Sequence, residues 1–333
     1  MVIKQQFVQD LIPRHRNVHK KYRRRNHHCG RRVSVIEKNK MKEALLYEKT
    51  GKGKVKCGLC NHRCVIDDRK IGICGVRENR GGKLYSLVYG KIIAEHIDPI
   101  EKKPLYHFMP GSFSLSIATI GCNFKCLHCQ NSDISQISKQ EITNNKQWGR
   151  EKSPKEIVQD ALESNCLSIS YTYTEPTIFL EFALDCMKLA KKKGLKNVWV
   201  SNGYMTKEVL DLVTPYLDAI NVDLKAFTED FYRDVCGAKL QPVLDNLINI
   251  KKREIHLEIT TLIIPDKNDS EKELKQIAVF IKKKLGKDIP WHVSRFFPHH
   301  EFLNMMPTPM EKVLRAAEIG KEAGLKFVYA GNI

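Results

Sequence analysis

Beyond Ser112 the sequence alternates, six times over, between an apolar run short enough for a strand and a longer run with apolar residues at three- and four-residue spacing. The strand candidates are SLSIATIGC (114–122), CLSISYTY (166–173), NVWVSNGY (197–204), AINVDLKA (219–226), HLEITTLIIP (256–265) and WHVSRFFP (291–298). Helical patterns fall between them at 153–164, 177–194, 206–217, 241–254, 270–286 and 308–324. Strand–helix units in series imply an α/β fold with a parallel sheet and helices outside it. With a terminal strand in KFVYAGN, the length fits a partial (β/α)6 barrel better than a complete eightfold one. Chemistry in such a sheet belongs at the C-terminal ends of the strands. Cys122, Glu175, Asn202, Asp223 and Pro298 all fall there.

A chain of 333 residues with 42% apolar content can bury one large core and carry a small appended module. Residues 112–333 form the predicted barrel, and 41–111 a small cysteine-bearing module with strand-like pieces (KLYSLVYGKIIAEHI) and a turn-rich end. Residues 1–40 carry twelve Lys or Arg against Asp10 and Glu37, which is +10 of the formal net charge of +18. That segment has no helical or strand period, so it reads as a poorly ordered, solvated basic extension ahead of Met41 rather than a nucleic-acid arm. No apolar run of about 18 residues and no apolar signal core is present, so no membrane span is predicted and the cytoplasm is the expected location. Seven of the eleven cysteines fall in two tight clusters, which favours metal over disulfides.

After the first barrel strand comes GCNFKCLHCQN, with Cys122, Cys126 and Cys129 spaced C-x3-C-x2-C. Three thiolates on one short loop can each take a corner of a [4Fe-4S] cubane, leaving one iron without a protein ligand. S-adenosylmethionine (SAM) can chelate that iron through its amino and carboxylate groups. Reductive cleavage then gives a 5′-deoxyadenosyl radical, chemistry that belongs to the cofactor while the protein positions and shields it. The competing reading is a closed zinc site with His128 as fourth ligand. Phe124 and His128 otherwise pack beside the loop and limit water.

These residues carry a family resemblance. GCNFKCLHCQN resembles the radical SAM signature of the pyruvate formate-lyase activating enzyme group. CGLCNHRC, GICGVREN, YGKIIAEHIDPIEKKPLYHFMPGS, YTYTEPTIFLEF, RFFP and VYAGN together resemble the radical SAM protein of the AmmeMemoRadiSam system, from about Met41 to Ile333. The resemblance implies an electron donor such as a ferredoxin or flavodoxin, and it raises the alternative of an activase that installs a glycyl radical on a protein substrate. The family pattern continues past the GN segment with a cysteine-containing tail, which would lie beyond Ile333.

The same resemblance implies the SAM contacts. Glu175, before Pro176, stands where activating enzymes carry Gly-Gly-Glu-Pro and would accept a hydrogen bond from the SAM ammonium; Tyr173 and Thr174 replace the two glycines. Glu175 could also simply cap the helix that follows. Ser201 and Asn202 would meet the ribose, and Asp223 and Lys225 the ribose and carboxylate, unless the latter two form only an internal ion pair. Ile263 to Pro265 would lie beside the adenine. His300 is preferred over His299 and His292 as a histidine near the ribose.

Cys57, Cys60, Cys64 and Cys74 read C-x2-C-x3-C-x9-C with glycines at 58, 72 and 75, which suits a structural zinc or a second iron-sulfur cluster equally. Cys29, Cys166, Cys186 and Cys236 stand apart from both sets. The functional expectation is a SAM-cleaving, hydrogen-abstracting enzyme of unnamed substrate. A metal-dependent nucleic-acid or protein binding module is the alternative from another class, and it leaves Glu175, Ser201, Asn202, Asp223 and Lys225 without roles.

Overall fold

The computed structural model describes residues 41–137 and 148–333, so the reading of 1–40 lies outside the described residues. Seven parallel strands follow one another in chain order across one sheet: β1 (Phe113–Ala118), β2 (Ser168–Tyr171), β3 (Lys196–Ser201), β4 (Ala219–Asp223), β5 (His256–Ile263), β6 (Trp291–Arg295) and β7 (Val328–Gly331). Six helices alternate with them: α1 (Pro154–Glu163), α2 (Leu180–Lys192), α3 (Lys207–Val213), α4 (Gln241–Lys252), α5 (Glu271–Phe280) and α6 (Met310–Glu322). The strand order ends at β7 on one side, so the expected partial (β/α)6 barrel is open.

The helices begin where local chemistry favours it. Ser153, ahead of α1, forms a reciprocal capping box with Glu156, and the Thr206 and Ser270 side chains cap α3 and α5.

Along the strands, side chains alternate between the helix layer and the interior. Leu115 and Ile117 of β1 and Ile169 and Tyr171 of β2 sit fully buried in the main core. The residues between them, Ser114, Ser116, Ser168 and Ser170, are equally buried but polar, and the Ser114 and Ser170 hydroxyls meet at 2.6 Å. Asn221 of β4 and Glu258 and Thr260 of β5 continue this polar lining. An interior lined this way needs partners for its polar groups.

The other edge of the sheet corrects the boundary drawn from sequence. Ala94–Pro99, placed in the amino-terminal module, pairs antiparallel with β1, Ala94 opposite Ala118 and Pro99 opposite Phe113. The following segment then closes the N-terminal end of the interior. The Tyr106 and His107 backbone N–H groups donate to the Glu258 carboxylate at 3.1 and 2.8 Å, and Asn221 Nδ2 donates to the Pro104 carbonyl at 2.8 Å. Ahead of it, Tyr47–Gly51, Lys54–Cys57 and Val65–Ile66 form one small antiparallel sheet; Lys42–Glu43, Arg77–Arg80 and Lys83–Ser86 form another.

Candidate active site

Past β1 the chain turns at Gly121, whose φ is +91°; a Cβ there would stand 2.7 Å from the Cys74 carbonyl oxygen and 2.7 Å from Val76 Cγ1, so only glycine fits. The loop carrying Cys122, Cys126 and Cys129 is then fastened by backbone. Lys125 N–H donates to the Cys236 carbonyl at 2.8 Å and Leu127 N–H to the Val235 carbonyl at 2.9 Å. Phe124 is buried against the Tyr204 ring at 5.2 Å and the Tyr232 ring at 6.2 Å.

The three thiols line a cavity of about 700 Å³ together with Glu175, Ser201, Asn202, Asp223 and Lys225. Each of those residues ends a strand or begins the loop after it, so the topology alone brings β1 to β4 to one mouth. The volume falls inside the ~300–1,000 Å³ range of small-molecule sites.

Glu175 sits at the centre of this convergence. Its Oε1 accepts from Thr177 N–H at 3.1 Å, the Thr177 hydroxyl at 2.5 Å and the Ser201 hydroxyl at 2.9 Å. Its Oε2 accepts only the Asn202 N–H, at 2.8 Å, so one lone pair of Oε2 is left for a further donor. Capping of the Pro176–Phe179 turn and the bracing of β3 are therefore both present in one carboxylate. Burial pushes its pKa up, against the donors that surround it.

Asn202 also donates through Nδ2 to Asn123 Oδ1 at 2.7 Å, tying the β3 loop to the cysteine loop. Gly203 follows with φ +72°, and a Cβ there would meet Val222 Cγ1 at 2.8 Å. Lys225 Nζ and Asp223 Oδ2 pair at 2.9 Å while both face the cavity. Burial pulls the Lys225 pKa down, but Asp223 and the nearby thiols outweigh it and hold the ammonium charged.

Tyr173 stands where the resembled enzymes carry glycine, and its φ is +62°, a conformation costing an L-residue roughly 1–2 kcal/mol. Three contacts hold it: its carbonyl accepts from Asn131 Nδ2 at 2.8 Å, its hydroxyl donates to Asp98 at 2.6 Å, and the Lys103 ammonium lies 4.7 Å from its ring centre. Backbone of the glycine type is thus kept while a phenol enters the cavity.

Two expected positions fall outside the cavity lining. His300 is not among the residues that line the cavity, although the next residue's N–H, that of Glu301, donates to the Leu127 carbonyl of the cysteine loop at 3.0 Å. His292 lines it instead, from β6, with Nε2 2.7 Å from Glu258. On β5 the lining residues are Thr260 and Leu262, because alternation turns Ile263 into the core; Ile264 and Pro265 are not cavity residues either.

Cys236, set apart by the sequence, is brought against Cys126, and this neighbour together with burial pushes the Cys126 thiol pKa up. No sequence signal pairs them, since the cysteine loop and the helical turn Tyr232–Cys236 meet only in the folded chain. Asp98, Lys103 and Tyr173 form another cluster that sequence reading missed, with Lys103 Nζ 2.7 Å from Asp98.

The radical SAM superfamily model matches residues 116–278, the span from β1 through most of α5. Over 293 residues the chain is 45% identical to an uncharacterized protein of Methanocaldococcus jannaschii, covering 88% of this chain and 86% of that one. The chain belongs to the radical SAM superfamily. Similarity extends to the pyruvate formate-lyase-activating enzyme of Clostridium pasteurianum, 23% identical over 49% of this chain and 66% of that one. Streptococcus suis SuiB, solved with S-adenosylmethionine bound, has the same fold, with a TM-score of 0.51 at 13% identity over 66% of this chain and 50% of SuiB.

A radical SAM enzyme takes a [4Fe-4S] cluster and SAM, and the cysteine loop fits that requirement. Among the described residues no three Cys, His, Asp or Glu side chains stand so as to hold one metal ion. A cubane instead gives each thiolate its own iron. His128 is buried between the Phe231 and Phe302 rings, its pKa pulled down to about 3 by burial, and Nδ1 has no partner. Burial likewise pushes the Cys122 and Cys129 thiols up, so metal is what would hold them as thiolates. Among the described residues no helix is long and apolar enough to cross a membrane.

Proposed function

We propose that Cys122, Cys126 and Cys129 each hold one iron of the [4Fe-4S] cluster, that SAM chelates the fourth, and that the enzyme abstracts a hydrogen atom from an organic substrate held in the remainder of the cavity. The observation that carries this reading is the convergence of the three thiols with Glu175, Ser201, Asn202, Asp223 and Lys225 on one cavity at the strand ends. When bound and reduced, the cluster supplies the electron that cleaves SAM to methionine and a 5′-deoxyadenosyl radical.

The chain's own groups position and shield. Glu175 offers its open Oε2 lone pair to the SAM ammonium, while Lys225 offers a charged donor to the carboxylate or ribose. Ser201 and Asn202 are held rigid by Glu175 and Asn123, which fixes the wall that faces the ribose. Phe124 keeps water from the cysteine loop. The deeper walls, from Lys103, Tyr173, Thr260 and His292, are the part left to a substrate, and the Thr260 hydroxyl there is buried without a partner. A ferredoxin or flavodoxin is the electron donor that suits this chemistry.

A second reading, activation of a glycyl-radical protein, draws on relatives named as activating enzymes, among them the (2S)-3-sulfopropanediol dehydratase activating enzyme of Klebsiella oxytoca, 26% identical over 42% of this chain and 46% of that one. The test common to both is anaerobic reconstitution followed by reduction with SAM present. 5′-Deoxyadenosine should form in the wild type and not in a variant with all three triad cysteines changed to Ala. Undiminished formation in that variant would overturn the assignment. Adding a candidate glycyl-radical protein and recording its EPR signal separates the two readings.

A further inference from the structure

Outside the cavity, four thiols line a small void: those of Cys57, Cys60, Cys64 and Cys74, with Arg77, His62 and the apolar side chains of Leu59, Ile66, Ile73 and Ile178 among the rest of its wall. None is in a disulfide, and all but Cys64 are buried. The first and third cysteines of the set are clipped together by the Cys57 N–H, which donates to the Cys64 carbonyl at 2.9 Å.

Arg77 is the independent sign that something negative belongs in the void. It is 1% exposed, and its Nη2 donates to Glu181 Oε2 at 2.5 Å and to the Ile178 carbonyl at 3.3 Å. Its Nε and Nη1 are buried with no partner among the described residues. A guanidinium N–H left unpaired in the interior is costly. Sulfur atoms carrying negative charge would satisfy both groups, and Glu181 alone already balances the formal charge of Arg77. A further anion in the void is therefore held by hydrogen bonding as well as by its ligands.

The arrangement also separates the two metals left open by the cysteine spacing. A zinc ion draws all its sulfurs to about 2.3 Å from one point. No such convergence on one ion exists among the described residues, and the quartet shares this property with the triad that suits a cubane. The quartet also abuts the triad loop: the Cys74 carbonyl is one of the two atoms that exclude a side chain at Gly121, next to Cys122, and His62 Nε2 lies 2.8 Å from the Asn123 carbonyl.

We infer that Cys57, Cys60, Cys64 and Cys74 hold a second, fully thiolate-ligated [4Fe-4S] cluster directly behind the triad loop, with Arg77 donating to its sulfur atoms. Four protein ligands leave no open iron, so this site suits one-electron carriage and does not chelate SAM. The inference stands apart from the SAM assignment, and the test keeps them apart.

The Cys122, Cys126 and Cys129 to Ala variant, reconstituted anaerobically with iron and sulfide, should retain about four irons and four sulfides per chain, against about eight of each in the wild type. Its dithionite-reduced EPR signal should be unchanged by SAM. A variant holding a single zinc, or no metal, while circular dichroism matches the wild type, would overturn the inference. In the same background, Cys64→Ser exchanges the most exposed ligand and should alter the EPR signal. An identical signal would remove Cys64 from the ligand set. SAM cleavage by the wild type reports separately on the triad.

Discussion

Glu175 Oε2 and the Asn202 backbone N–H meet at 2.8 Å, so a carboxylate on the loop after β2 also fixes the start of the loop after β3. In the SAM arrangement proposed above, the open lone pair on Oε2 takes the ammonium. Glu175→Gln keeps the side chain's size and removes its charge. SAM affinity should fall by about 1.5–3 kcal/mol, roughly ten- to a hundredfold. Iron content should stay at the wild-type level. Titrating SAM into the reconstituted variant and following the cluster's EPR spectrum measures the loss, and unchanged affinity would leave Glu175 with its internal bracing role alone.

Lys225 is paired with Asp223 at 2.9 Å but has two further ammonium hydrogens to give. Lys225→Met should weaken SAM binding by a similar factor, again without loss of iron, because no thiolate is touched. Asp223→Asn separates the two roles. If the ion pair only braces the barrel, both variants should lower Tm and neither should shift the SAM titration.

Cys236 lies against Cys126 in a buried position, beside a ligand of the proposed cluster. Hydrogen bonds to ligand sulfur help set an iron-sulfur potential. Cys236→Ala removes the neighbouring thiol, and the reduction potential of the SAM-binding cluster should become more negative while its iron count holds. Potentiometric titration monitored by EPR reads this directly. A loss of iron would instead make Cys236 a ligand.

The barrel was legible because each strand–helix unit carries its own period. The sequence overran the strands at their C-terminal ends, however: 114–122 against Phe113–Ala118, and 197–204 against Lys196–Ser201. The apolar pattern continues there, but the backbone turns away at Gly121 and Gly203, where neighbouring atoms leave no room for a side chain. Those overruns are the loops that carry the site. Cys122, Glu175 and Asn202 were readable because each follows a recognisable strand. Tyr173 with Asp98, and Cys236 with Cys126, were not, since each pair is separated by dozens of residues and joined only by the closed sheet edge or by packed loops. The position of His300 was not readable because it lies past the last strand, in the loop that meets the cysteine loop through Glu301 and Leu127.

Glu258 gives a prediction for acid stability. It is fully buried, and burial alone would raise its pKa, but His256, His292 and the backbone N–H groups of His107 and Tyr106 outweigh that and lower it from 4.5 to about 2. A carboxylate lowered on folding adds stability that is present above its unfolded pKa and lost as pH falls toward the folded value. The size here is on the order of 3 kcal/mol at neutral pH, falling to roughly half near pH 3. Glu258→Gln should remove that contribution, so the two proteins should differ most at pH 6 and converge as the pH drops. Comparing their denaturation midpoints at pH 6, 4 and 3 isolates the one carboxylate, because every other acid-labile group is common to both. A difference that stays constant across this range would mean that the contacts of Glu258 with the Tyr106 and His107 backbone depend on its shape and not on its charge.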